Sequence, residues 1–300
     1  MKAIVMTRPG PPEVLQLREV EKPTPRDNEV LVKVHAGTVS TGDVHLRKLP
    51  IVLWPVFRLF GVRRKRIAGH DLAGEVEAVG QNVTRFKPGD RVFGSTTGLS
   101  GGANAEYVCV PEVSRTGVLA HLPANLSYAE AAPIPIGGMT AVQLLKRADI
   151  QPGQKVLIYG ASGSVGSFAV QIARHYGADV TGVCSGANAE MVRALGASRV
   201  IDYTREDFTT RGETYDVILD AVGKLPAARR KKALKAGGRF LTVASPTSET
   251  NADLLFLKEL AEAGQLRAAI DRTYPLAQTA EAHRLVETGR KRGNVVITVP

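Results

Sequence analysis

Residues 159–185 read YGASGSVGSFAVQIARHYGADVTGVCS. An apolar run, KVLIY, leads into them, and glycines fall at 160, 163 and 166. A helical pattern then runs from Val165 to His175, closed by Gly177, before a second apolar run, DVTGVC. Strand, glycine-rich turn, helix and strand form the context in which such glycine spacing marks a dinucleotide site. Gly163 lets the backbone approach a pyrophosphate, and Gly166 lets the helix pack close to the strand. The helix N-terminus then turns backbone N–H groups toward the phosphates. Ala161 stands where the first glycine of the usual spacing falls, with Gly160 immediately before it. The expected cradle is therefore Ala161, Ser162, Gly163, Ser164, Val165 and Gly166. The competing reading is a glycine-rich turn in an α/β sheet that binds no nucleotide.

The end of the second strand chooses the nucleotide. Proteins that bind the cofactor without a 2′-phosphate usually place Asp or Glu there, on the ribose hydroxyls. Here the chain reads Cys184-Ser185-Gly186, with no acid until Glu190. A carboxylate would repel a 2′-phosphate, whereas a serine hydroxyl can donate to it. The expected cofactor is NADPH, with NADH a weaker alternative.

Outward from this stretch, two textures divide the chain. The first 120 or so residues are β-rich: EVLVKVHAGTVS alternates Val30, Val32 and Val34 and is expected to turn at Gly37, and FKPGDRVFG carries a Pro88-Gly89-Asp90 turn. SYAEAAPIP opens with Ser127 and Glu130 three residues apart, a capping-box pattern that starts a helix. From Gln154 onward, strands at KVLIYG, DVTGVC, RVID, DVILDAVG and GRFLTVA alternate with helical stretches, which predicts a doubly wound parallel sheet. The tail NVVITVP is one more strand, expected to return to the first domain.

Composition narrows the function classes. Three hundred residues at 44% hydrophobic content suffice for one large or two ordinary cores. No signal-peptide pattern precedes Arg8, and the longest apolar stretch, residues 49–62, is interrupted by Pro55 and Arg58 and is too short to cross a bilayer. Two cysteines, Cys109 and Cys184, make no disulfide framework and point to a reducing cytoplasm. A net charge of +10 favours an anionic partner. The RRKR run from Arg63 to Arg66 could serve an RNA-binding regulator, but no aromatic-rich single-strand motif accompanies it, so nucleic acid is disfavoured.

The stretch GQKVLIYGASGSVGSFAVQIAR resembles the signature of the zinc-free quinone oxidoreductases of the medium-chain dehydrogenase/reductase superfamily, with Ser164 in place of one glycine. MKAIVMTRPGPPEVLQL, AAPIPIGGMTAVQLL, LGASRVIDY and YPLAQTAEAHRLVETGRKRGNVVITV fit the same family in order. The resemblance implies an α/β protein with a GroES-like β-rich catalytic domain over 1–122 and 271–300 and a Rossmann domain over 123–270. It implies cofactor contacts from Thr140, Tyr203 and Val222 beside the cradle and Ser185. Zinc-dependent relatives carry cysteines at the positions of Ser40 and near Ile136; only His70 matches a zinc ligand here, so no catalytic zinc is expected. His70 is read as a hydrogen-bonded residue of the cleft wall. Hydride transfer to a quinone or enone builds charge on oxygen, and the expected donors lie in Ser40 to Arg47. Ser40, Asp43 and His45 are the catalytic candidates: His45 as proton donor and Asp43 orienting either His45 or the nicotinamide ribose. Arg47 is expected in a surface ion pair. An alcohol dehydrogenase or enoyl reductase of the same superfamily is the alternative enzyme. An edge strand shortened between Ala244 and Asp253 bears on whether the chain forms a homodimer.

Overall fold

A computed structural model describes residues 1–50, 52, 66–99, 101–114 and 117–300. Packing divides them into two units: Met1–Ile136 with Glu249–Glu262 and Ile270–Pro300, and Gly137–Ser248 with Ala263–Ala269. The apolar stretch at 49–62 falls almost wholly outside the described residues, as do Arg63, Arg64 and Lys65 of the basic run.

In the first unit, β1 (Lys2–Met6) and β2 (Leu15–Glu19) pair antiparallel. β3 (Glu29–Val39) leads into α1 (Thr41–Lys48), and β4 (Asp71–Val79), β5 (Arg91–Ser95), β6 (Tyr107–Pro111) and β7 (Val118–His121) follow. The alternation at Val30, Val32 and Val34 is that of a strand with a buried face, and all three are fully buried with Leu72, Val76 and Val92. β3 does not turn at Gly37 but runs on to Val39. Glycine serves close approach there: a Cβ would lie 3.0 Å from Asn104 Oδ1 and 3.2 Å from the Asp71 carbonyl. At the Pro88-Gly89-Asp90 turn the reason is conformational, since Gly89 has φ +89° and nothing crowds it.

α2 (Tyr128–Ala131) closes this part of the first unit, and α3 (Ile134–Ala148) carries the chain into the second. There β8 (Lys155–Tyr159), α4 (Ser164–His175), β9 (Asp179–Cys184), α5 (Ala189–Ala194), β10 (Arg199–Asp202), β11 (Tyr215–Asp220), α6 (Ala227–Ala233) and β12 (Leu234–Thr242) alternate. The five strands are parallel in the order β10-β9-β8-β11-β12. Val156, Leu157 and Ile158 of β8 are completely buried, as a central parallel strand requires. The order reverses beside β8, and such a switch point opens a crevice at the carboxyl ends of the strands, where nucleotides bind in this architecture.

The chain then returns to the first unit through α7 (Asn251–Glu262), β13 (Ile270–Pro275), α8 (Thr279–Glu287) and β14 (Asn294–Thr298). β14 pairs antiparallel with β3 and parallel with β13, a strand that the sequence pattern had not signalled.

Candidate active site

The expected cradle lies between β8 and α4. Gly160 has φ +82°, and a Cβ there would sit 2.3 Å from Val222 Cγ2, so shape and conformation both demand glycine. At Gly166 a Cβ would come within 2.1 Å of the Gly160 carbonyl oxygen, which makes this the close helix–strand contact. Gly163 differs: its Cβ would meet only the Gly160 oxygen, at 3.4 Å, an ordinary contact. The fold itself therefore tolerates a side chain at 163, and what glycine leaves there is open space over the first turn of α4. Gly163 is also the N-cap of α4 and provides no side-chain acceptor to that turn. An uncapped helix start beneath a free surface fits the pyrophosphate of a dinucleotide.

The other predicted cofactor residues surround this turn in the same unit. Ser162 Oγ accepts from Asn188 Nδ2 at 3.2 Å. Ser164 opens α4 and Val165 follows, both half-buried. Gly137 of α3 approaches Ser164, since a Cβ there would lie 2.6 Å from Ser164 Oγ, and Thr140 is half-buried one turn further along α3. Ser185 caps the short 3₁₀ turn Gly186–Asn188 at the end of β9. Tyr203 and Val222 are exposed large side chains, 57% and 45% accessible, at the ends of β10 and β11. Exposed aromatic and aliphatic surface at this edge suits the flat faces of a nucleotide.

The catalytic candidates occupy the first unit. Ser40 caps α1: its Oγ accepts from Asp43 N at 3.2 Å and donates to Asp43 Oδ2 at 2.6 Å, while Ser40 N donates to the same oxygen at 2.7 Å. Asp43 does not orient His45. Two positions apart on a helix do not face each other, and Asp43 Oδ1 instead accepts from His70 Nδ1 at 2.5 Å. His45 is exposed on α1. Arg47, expected at the surface, is buried, with 2% accessibility and an ion pair to Glu287 of α8. Its Nε and Nη1, and both ring nitrogens of buried His283, lack hydrogen-bond partners. Asp43, Arg47, His70 and His283 line a cavity of about 30 Å³, room for one water beside these orphaned groups.

Two neighbouring aspartates are driven in opposite directions. Burial pushes the Asp43 carboxyl up, but the attraction of His70 and hydrogen bonds from His70 and Ser40 outweigh it and hold it well below the carboxylate range. For Asp71 burial wins. Hydrogen bonds from Ile136 N at 3.0 Å and Thr38 Oγ1 at 2.8 Å oppose it, the charges of Asp43 and Glu249 add to it, and the carboxyl is pushed up to about 8. His283 is lowered to about 4 by burial. The sequence reading missed the Asp43–His70 pair and Asp71, although Ser40 and Asp43 share the spacing of the Ser127–Glu130 capping box, which does form.

A β-rich unit that receives the chain's last strand, and a doubly wound sheet with an open glycine-rich turn, define a two-domain dinucleotide-dependent oxidoreductase. Residues 26–123 match the family model "Alcohol dehydrogenase GroES-like domain", and residues 164–282 match "Zinc-binding dehydrogenase". The chain is 32% identical to the NADPH-dependent alkenal/one oxidoreductase of Arabidopsis thaliana, over 99% of this chain and 79% of that protein. It is 32% identical to the quinone oxidoreductase of Homo sapiens, over 96% and 94%. The solved quinone oxidoreductase from Coxiella burnetii superposes with a TM-score of 0.88 at 30% identity, covering 100% and 99%. The chain belongs to the medium-chain dehydrogenase/reductase superfamily.

The name of the second family model raises the question of zinc, and the donor set answers it. A serine hydroxyl and an isoleucine side chain stand where thiolates would be needed, which leaves the His70 imidazole without thiolate partners for a tetrahedral site. Among the described residues no three His, Cys, Asp or Glu side chains converge on one metal position. These residues do not fit a catalytic zinc.

Proposed function

We propose that this chain is an NADPH-dependent reductase that transfers hydride to a quinone or related conjugated carbonyl without zinc, with NADH as a weaker donor. The observation that carries the reading is the cradle: glycine is enforced by packing at 160 and 166, while at 163 it leaves space over an uncapped helix start. The likeness to a quinone oxidoreductase over 94% of its length and to an alkenal/one oxidoreductase over 79% supports the acceptor class.

When bound, the nicotinamide supplies the hydride. The residues 160–166 hold the pyrophosphate on backbone N–H groups, and Ser185 and Tyr203 hold the adenosine end. Val222 closes over Gly160, and Thr140 faces the nicotinamide end. In the first unit, Ser40, Asp43 and His45 are the proposed catalytic residues. The hydrogen bonds of Asp43 to His70 Nδ1 and Ser40 Oγ support a further role for His70 as the group that Asp43 orients. His45, exposed on α1, is a proton donor that water can replace once a quinone has taken up hydride.

A homodimer joined along the β12 edge and a cytoplasmic location complete the proposal. β12 ends the sheet order, Cys109 and Cys184 form no disulfide, and among the described residues no helix is long and apolar enough to cross a membrane. Light scattering after gel filtration distinguishes a 32.0 kDa species from one of twice that mass. The activity is tested by following NADPH oxidation at 340 nm against quinones, enones and aldehydes, with and without chelator. Turnover of quinones or enones that survives chelation is expected. Inert quinones and enones, with rapid NADP⁺-dependent oxidation of saturated alcohols, would refute the proposal.

A further inference from the structure

The end of β9 carries no acid in sequence, yet a carboxylate stands there in space. Asp202, the last residue of β10, pairs in register with Cys184, the last of β9, and Tyr203 N donates to the Cys184 carbonyl at 3.1 Å. These pairings carry the Asp202 side chain across to the residue after Ser185. A Cβ on Gly186 would lie 2.4 Å from Asp202 Oδ2, so a side chain there would have to displace the carboxylate. Asp202 Oδ1 accepts from Thr204 N at 3.0 Å and Thr204 Oγ1 at 2.7 Å, which fixes the carboxylate in this position. The Thr204 hydrogen bonds, with a further one from the Gly186 backbone, lower its pKa and keep it ionised near neutral pH.

We propose that Asp202 is a cofactor-specificity-determining residue, delivering from β10 the carboxylate that other dinucleotide-binding sheets place at the end of their second strand. The inference rests on the reading of residues 160–166 as the dinucleotide cradle. An acid at this edge accepts hydrogen bonds from ribose hydroxyls and repels a 2′-phosphate. Ser185 favours the phosphate and Asp202 opposes it, so the preference for NADPH over NADH is held to about tenfold. The positive charge of Arg205 reaches Asp202 and offsets part of this repulsion.

Equilibrium binding separates this role from a purely structural one. Dissociation constants for NADPH, NADH, 2′,5′-ADP and 5′-AMP are measured by calorimetry on the wild type, Asp202→Asn and Asp202→Ser. Asparagine keeps an acceptor for Thr204 and removes only the charge. Both variants are expected to tighten NADPH and 2′,5′-ADP about tenfold and to weaken NADH and 5′-AMP severalfold, widening the preference beyond about a hundredfold. Ratios that stay within about twofold of wild type, whether affinities fall together or not at all, overturn the proposal. Gly163→Val tests the cradle separately: NADPH and NADH binding should both be lost while the circular dichroism spectrum is unchanged. Undiminished binding by that variant would remove the reading on which the proposal stands.

Discussion

Two helix starts in this chain are built in opposite ways. At α1 the N-terminus is closed by its own residues: Ser40 accepts from Asp43 N, Asp43 accepts from Ser40 N, and the spare carboxylate oxygen reaches His70. α2 repeats the device with Ser127 and Glu130, and Thr250 accepts from Asp253 N at the start of α7. At α4 the cap is Gly163, which brings no side-chain acceptor. A side-chain cap contributes about 1 kcal/mol that a glycine cap partly forgoes. At α1 the cap stabilises the protein in every state, whereas at α4 the missing acceptor is left to the proposed dinucleotide. A closed start orients side chains, and an open one leaves room for a ligand.

The largest effect should come from the backbone contact beneath the open start. Gly166→Ala places a methyl 2.1 Å from the Gly160 oxygen, so the helix must move. We expect a loss of about 3 kcal/mol in denaturant unfolding and at least hundredfold weaker NADPH binding. Gly163→Ala, whose methyl meets only an ordinary contact, should unfold like wild type and lose affinity alone. Equal destabilisation by the two would erase the distinction between a glycine kept for the fold and one kept for the ligand.

At the closed start, Asp43→Ala removes the reciprocal cap and the partner of His70, and about 2–3 kcal/mol should be lost at pH 7. Because the native Asp43 pKa lies below its unfolded value of about 3.9, the wild-type advantage should be full above that pH and fade as the pH falls below it. Asp71 runs the other way. Its native pKa near 8 exceeds the unfolded value, so wild type should lose stability relative to Asp71→Asn as pH rises from about 4 to 8. Chemical denaturation across that range checks both signs. Parallel curves for the two variants would contradict the opposed environments.

A smaller effect is expected from Ser185→Asp, which adds a second carboxylate to the adenosine end. NADPH should bind about tenfold more weakly and NADH about as before, as read by fluorescence titration. Preserved NADPH preference would move the 2′-phosphate away from Ser185. The smallest effect should be that of His45→Ala. With its side chain in solvent and Asp43 engaged elsewhere, turnover of quinones should change less than about threefold. A loss near 10²-fold would instead make His45 a donor that water cannot replace.

The strand, glycine turn and helix at 155–175 were legible because their determinants are local. Glycine spacing, an apolar run and helical periodicity fall within thirty or so residues, and each acts on its own stretch of backbone. The same holds for Val30, Val32 and Val34 in β3 and for the Ser127 cap. Gly37 misled because a glycine that signals a turn and one that permits close packing look alike until the neighbour, Asn104, is known. Asp43 misled for a related reason: its partner was sought two residues away in His45 and lies at His70.

The sequence by itself determined the two textures, the parallel sheet, the open helix start and the absence of thiolates at Ser40 and Ile136. Each is a property of residue type or short-range period. Tertiary structure alone decided where charge sits. It buried Arg47 against α8, paired Asp43 with His70, raised Asp71 by desolvation and set Asp202 of β10 against Gly186 in the turn after β9. Electrostatic energy depends on distance through space and on burial, and neither is written in the spacing of residues along a chain.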